Sequence, residues 1–338
     1  MNHTIKLKQI DEICNKWLFK KSDFLKLDSF YNHLKHTDFT SLISAFRKRL
    51  DEVPYKFTKS ETVSGSICFY GAVFTSLLNT GKIEQIEGLF TFALCYMLID
   101  HFLDDVNNTD LEKKKNMKEV YEFLLLDNGS KDDSKDNNSN ISNNILINSA
   151  KERYLKLIEI SGVKQALISL FKSEIKGAKI SNDKNLNREE YKQIAKEKGG
   201  KTSLAIATII GINIDGKVQN SPHYICGSLI QYVDDILDIK DDENLGIYTL
   251  ARYDIEHTDL DQYVYDVILE IENLGSIYNF FKPILLMGII LGIHDNPNSV
   301  SKELLNALVK YDSFGEYTKD SLNNWFHNKL YEYIEENI

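Results

Sequence analysis

Apolar residues recur along this chain at steps of three and four, and strand-like alternation is scarce. That spacing predicts helices almost throughout. Residues 29–50 set Phe30, Leu34, Leu42, Ile43, Phe46 and Leu50 among charges, as an amphipathic helix or helix pair does. Residues 51–61, with Pro54, form a connection. Residues 63–78 and 86–103 are apolar on nearly every side, which places both in the centre of a helical protein. A charged helix is expected at 111–126, and further helices at 145–160, 163–179 and 188–214. Gly199 and Gly200 should kink or break the last of these. Pro222 suits the first turn of the next helix. Residues 243–253 read as a loop, and helices at 260–274, 276–293, 302–311 and 321–334 complete an all-α chain of roughly ten or more helices.

Composition narrows this picture. Residues 127–144 are dominated by Asn, Asp, Ser and Lys; such a segment buries too little apolar surface to offset its ordering entropy. It is expected to be a mobile surface insertion within one domain that spans 1–338. Hydrophobic content of 43% is enough for a large core. A formal net charge of −10 argues against nucleic acid or an anionic membrane as the main partner. It does not exclude an anionic small molecule, since bound cations invert a local field. Cys14, Cys68, Cys95 and Cys226 show no paired spacing, and the last three sit in apolar runs, as buried thiols do in a reducing compartment. The first twenty residues do not have the form of a signal peptide, and no apolar run is long enough to span a bilayer. A cytoplasmic protein with no transmembrane segment is expected.

The candidate chemistry lies in two acidic clusters. Gln231-Tyr-Val-Asp-Asp-Ile-Leu-Asp238 ends one apolar helix, and Asp100-His-Phe-Leu-Asp-Asp105 ends another. On a helix Asp234 and Asp238 stack one turn apart with Asp235 beside them. Carboxylates packed that closely resist burial unless a positive charge lies between them. An isolated acidic run is usually a solvated helix face; two such runs, each closing an apolar helix, suit a cation site. Mg²⁺ prefers oxygen ligands and is held by one or two carboxylates plus substrate phosphates. Asp100, Asp104 and Asp105 on one side, and Asp234, Asp235 and Asp238 on the other, are therefore the candidate ligands of two or three Mg²⁺ ions around a diphosphate. The cations would stabilise departing diphosphate. The carbocation left behind needs a dry, aromatic-lined cavity, for which Phe69, Tyr70, Phe74, Phe90, Phe92 and Tyr96 are candidates. Lys201 could contact the diphosphate, Gln231 could orient an Asp, and His101 could ligate metal or simply bond a neighbouring Asp. Tyr96 precedes Asp100 by one turn and Phe92 precedes Tyr96 by another, so Tyr96 could limit the length of a hydrocarbon tail.

With these residues in place, the chain resembles the class I isoprenoid synthase superfamily, most closely its polyprenyl synthase branch. Gln231 to Asp238 is similar to that branch's second aspartate-rich motif, Leu98 to Asp105 resembles the first, and Lys201-Thr202 resembles the Lys-Thr pair of its diphosphate-binding helix. The similarity runs over about residues 60 to 255. It implies an all-α bundle around a central cavity, dependence on Mg²⁺ and often a homodimer. It also implies ionisation of an allylic prenyl diphosphate followed by attack from isopentenyl diphosphate.

The chain departs from the family pattern in ways that bear on the second substrate. His101 stands where a second Asp is usual, and no Arg pair follows in 106–111. The family's early Gly-Lys-Arg has no clear counterpart; Lys48-Arg49 is the nearest basic pair, in a different context. Ile247 occupies a position that is Lys in many relatives. These losses fall on isopentenyl diphosphate binding and leave the ionisation residues in place. A terpene synthase acting on one prenyl diphosphate is therefore an alternative, although the usual second metal motif of such cyclases is absent. A non-catalytic modulating subunit is a second alternative, but it would be expected to lose metal ligands that this chain keeps.

Overall fold

Helical patterning becomes helical structure, and no strand forms among the described residues. The computed structural model describes residues 3–18, 46–58, 62, 65, 68–69, 71–73, 76, 85–103, 152–180, 185–212, 218–257, 259–275, 278–279 and 281–311, with backbone alone at 3, 98–103, 178–180, 241 and 245. The helices are α1 (His3–Trp17), α2 (Ile86–Leu103), α3 (Val163–Ile180), α4 (Arg188–Ile209), α5 (Pro222–Leu237), α6 (Ile239–Leu245), α7 (Leu250–His257), α8 (Leu260–Glu272), α9 (Phe281–Asp295) and α10 (Lys302–Val309). Every described residue between 62 and 76 is also helical. The helices expected at 111–126 and 321–334, most of 29–50, and the insertion at 127–144 lie outside the described residues. No helix among the described residues is long and apolar enough to cross a membrane.

The chain divides into two compact units. A terminal unit comprises Met1–Phe30, Ser181–Lys196 and Ser228–Ile338; a central unit comprises Tyr31–Ile180 and Glu197–Gly227. The boundary passes through α4 and α5.

In the terminal unit α1 packs on α8, α9 and α10. No helix is predicted over residues 3–17, yet Ile10, Ile13, Cys14 and Trp17 recur at steps of three and four, and the first three are buried. Dense charge on the remaining positions obscures that stripe. Polar contacts fasten the middle and the C-terminal end of α1. Lys310 and Tyr311 donate to Asp11, while Lys16 and Trp17 donate to Glu272. The Lys310 ammonium, with Tyr311, holds the Asp11 carboxyl below its ordinary 3.8. Burial raises Glu272, but the bonds from Lys16 and Trp17 outweigh it and leave that carboxyl below its ordinary 4.5. Folded values below unfolded ones mean stability that is present above the ordinary carboxylate range and lost as pH falls through the lowered values. Amide-exchange protection of α1 relative to α8 should therefore drop between pH 6 and about pH 3. Equal relative protection at both pH values would show that these carboxylates do not hold α1.

The central unit is built on α2, which is apolar on every side and buried from Gly88 to Cys95, as its pattern predicts. Phe90 packs edge-on against Phe46 and Phe69, at ring separations of 5.3 and 6.5 Å, and Arg153 lies 5.1 Å over its ring. Arg49 donates to Glu87 at 2.6 Å across the same corner.

Two expectations are corrected. The glycine pair does not break its helix: α4 runs unbroken from Arg188 to Ile209. The glycines serve close packing instead. A Cβ on Gly200 would lie 2.6 Å from the Tyr224 ring, and one on Gly227 would lie 2.2 Å from the Gly199 carbonyl oxygen. Asn187 starts α4 with a reciprocal cap, accepting from the Glu190 amide at 3.1 Å while its own amide donates to the Glu190 carboxylate at 2.9 Å. The second correction concerns 243–253, which is not a loop. It holds the end of α6 and the start of α7, helices of seven and eight residues that are too short to show a period. Gly246, at φ 72°, separates them: its amide donates to the Glu243 carbonyl and that of Ile247 to the Asp242 carbonyl, which closes α6.

Candidate functional site

In the terminal unit, Asp234 and Asp235 lie in the last turn of α5 and Asp238 is the N-cap of α6. The backbone stays helical between them: the Asp238 amide donates to the Asp234 carbonyl at 2.9 Å and the Asp242 amide to the Asp238 carbonyl at 2.8 Å. Asp234 and Asp238 are therefore one turn apart on one face, as the spacing predicts. Both are exposed, and Asp238 makes no side-chain capping bond.

Asp235 has a different environment. It is 5% exposed, and the buried Tyr263 phenol lies close enough to feel its charge. Burial first, and then the Asp235 carboxylate, hold that phenol well above its ordinary value. Gln231 links the two environments: its amide nitrogen lies 3.3 Å from Asp234 Oδ2 and 3.0 Å from Asp235 Oδ1.

Three contacts within the terminal unit fix this half of α5. Ser228 Oγ donates to the Lys196 carbonyl at 2.9 Å, and Tyr263 OH donates to the Tyr232 carbonyl at 3.1 Å. α9 approaches so closely that a Cβ on Gly292 would lie 2.5 Å from the Ile236 carbonyl oxygen. The exposed face is not uniformly polar, because Ile230 and Leu237 are exposed at steps of four and three from Asp234. Carboxylates in the last turn of a helix also meet the negative end of its dipole. A cation bound there would offset both repulsions.

The central unit holds the other predicted residues. The backbone of Asp100 and His101 lies in the last turn of α2, so that cluster too ends an apolar helix; their side chains, and all of Asp104 and Asp105, lie outside the described residues. Phe92 is buried and its ring lies 6.2 Å from that of Tyr96, which is the more exposed of the two. Tyr70 and Phe74 lie outside the described residues. Phe69 and Phe90 pack on Phe46 in the core.

Lys201 sits inside the continuous α4, with Nζ 3.3 Å from Glu197 Oε2. Lys176, on α3, reaches the same oxygen at 3.7 Å. Thr202 turns its hydroxyl to the Lys198 carbonyl at 2.9 Å, a bond within its own helix. Neither Lys176 nor Glu197 is a candidate on sequence grounds. The four-residue step from Glu197 to Lys201 was a legible signal; the approach of Lys176 from another helix was not.

Among the described residues no three His, Cys, Asp or Glu side chains converge as a metal cage. Mg²⁺ does not require one, because substrate phosphates and water complete its shell. The exposed Asp234–Asp238 ladder, all hard oxygen donors, fits such an ion. Cys95 and Cys226 are pushed up to about 12 by burial, so neither offers a thiolate near neutral pH. Compared with models of protein families, with curated proteins and with solved structures, the chain matches none.

Proposed function

We propose that this protein is a Mg²⁺-dependent isoprenoid synthase of the polyprenyl synthase type, a transferase that ionises an allylic prenyl diphosphate and condenses it with isopentenyl diphosphate. The observation that carries the reading is the Asp234–Asp238 ladder at the end of α5, exposed beside apolar Ile230 and Leu237 and tied to Asp235 by Gln231.

In this reading Mg²⁺ supplies the charge that stabilises departing diphosphate. Asp234 and Asp238 ligate the ions, with Asp235 beside them, and Asp100, Asp104 and Asp105 are the further ligands. Lys201 donates to the diphosphate and Gln231 keeps the Asp234 carboxylate turned. Phe92 and Tyr96 border the hydrocarbon, Tyr96 as the residue that limits its length. A terpene synthase acting on one prenyl diphosphate is the second reading. It is favoured by Arg49, part of the nearest basic pair, which donates to Glu87 within the central unit.

The test is incubation with Mg²⁺ and dimethylallyl, geranyl, farnesyl or geranylgeranyl diphosphate, each with and without isopentenyl diphosphate, with products identified by mass spectrometry. A longer prenyl diphosphate formed only with isopentenyl diphosphate is the expected result. Hydrocarbon or alcohol from one substrate alone would move the protein to the second reading. No turnover of any substrate would remove both and leave a modulating subunit.

A further inference from the structure

In the central unit two lysines from different helices converge on one carboxylate oxygen. Glu197 Oε2 lies 3.3 Å from Lys201 Nζ and 3.7 Å from Lys176 Nζ. Beside it, Lys198 Nζ lies 3.6 Å from Glu174 Oε2. Among the described residues, three ammonium groups thus meet two carboxylates between α3 and α4.

The two pairs differ in kind. Glu174 is buried, so its pairing with Lys198 is part of the packing. The Glu197 side chain is 20% exposed, and the Lys201 and Lys176 side chains are 23% and 49% exposed. Contacts of 3.3 and 3.7 Å are at or beyond the long end of a hydrogen bond. Each ammonium carries three N–H donors, more than one shared oxygen can use. A carboxylate shared by two ammonium groups at these distances occupies the place an incoming anion would take. A diphosphate carries more charge and more acceptor oxygens, so it competes well for the same donors.

We infer that Lys176 and Lys201 together form an anion site for the substrate diphosphate, and that Glu197 is an internal occupant displaced when substrate binds. This rests on the proposed function for the identity of the anion; the convergence of the lysines does not. It adds Lys176 as a binding residue and makes Glu197 a competitor, so removing the Glu197 charge should improve anion binding. A purely structural ion pair has no such consequence.

The experiment is calorimetric titration of the full chain with inorganic pyrophosphate, without and then with Mg²⁺, alongside urea unfolding of each variant. Glu197→Gln is expected to tighten pyrophosphate about threefold to tenfold, and Lys176→Gln and Lys201→Gln each to weaken it by about as much. Lys176→Arg, which keeps the charge, should restore binding if Lys176→Gln proves poorly folded. The inference is overturned by Glu197→Gln gaining no affinity, or by Lys176→Gln losing stability with binding unchanged. Wild-type turnover of a prenyl diphosphate with KM unchanged in Lys176→Gln would overturn it too, while leaving the synthase proposal intact. Pyrophosphate binding that responds as expected, in a chain that turns over no prenyl diphosphate, would uphold the anion site and remove the synthase proposal.

Discussion

Asp234→Ala is expected to lower prenyl diphosphate turnover by about 10²-fold or more, the scale of losing one preorganised charge-stabilising group. Its helical signal and urea midpoint should stay at wild-type values. The carboxylate is exposed and one turn from Asp238, so its removal opens no cavity. Asp238→Ala should behave alike, and both variants should need more Mg²⁺ for what activity remains. Asp235→Ala makes the useful contrast. That side chain is buried beside Tyr263 and bonded by Gln231, so its loss should lower the unfolding midpoint as well as turnover. Near wild-type turnover in the Asp234→Ala/Asp238→Ala double variant would remove the metal assignment. An unfolded double variant is not the expected result, and circular dichroism would detect it.

Arg188→Ala is expected to destabilise the terminal unit by about 3–5 kcal/mol, the scale of breaking a buried ion pair by removing one partner. Arg188 opens α4 and grips Asp254 of α7 with two bonds, Nε to Oδ1 at 2.7 Å and Nη2 to Oδ2 at 2.9 Å. The geometry is bidentate and charge-assisted. Asp254 is 1% exposed, so without the guanidinium its carboxylate is left buried with its charge uncompensated. Asp254→Ala should cost less, because Arg188 keeps partial access to water. The pair Arg188→Met with Asp254→Leu should recover much of the loss, since two apolar side chains leave no buried charge. Urea unfolding of the four proteins measures all of this. Equal midpoints for wild type and Arg188→Ala would show that the pair is as dispensable as a surface one.

What the sequence determined by itself was local. Period gave α2, α3, α5, α8 and α10 within a few residues, because each presents two or more turns of apolar spacing. The step of four from Asp234 to Asp238 fixed their common face, since the pitch of a helix does not depend on what surrounds it. Tertiary structure decided the rest. Whether Gly199 and Gly200 broke a helix or admitted a neighbour depended on Tyr224 and Gly227, more than twenty residues away, and the neighbour won. Asp235 left the Asp234–Asp238 face for the interior because Gln231 and Tyr263 were there to receive it. Lys176 met Lys201 at Glu197 because the fold brings a side chain of α3 to one of α4. Helical spacing states which residues share a face; only packing states what that face meets, and charge, burial and hydrogen bonding all depend on that.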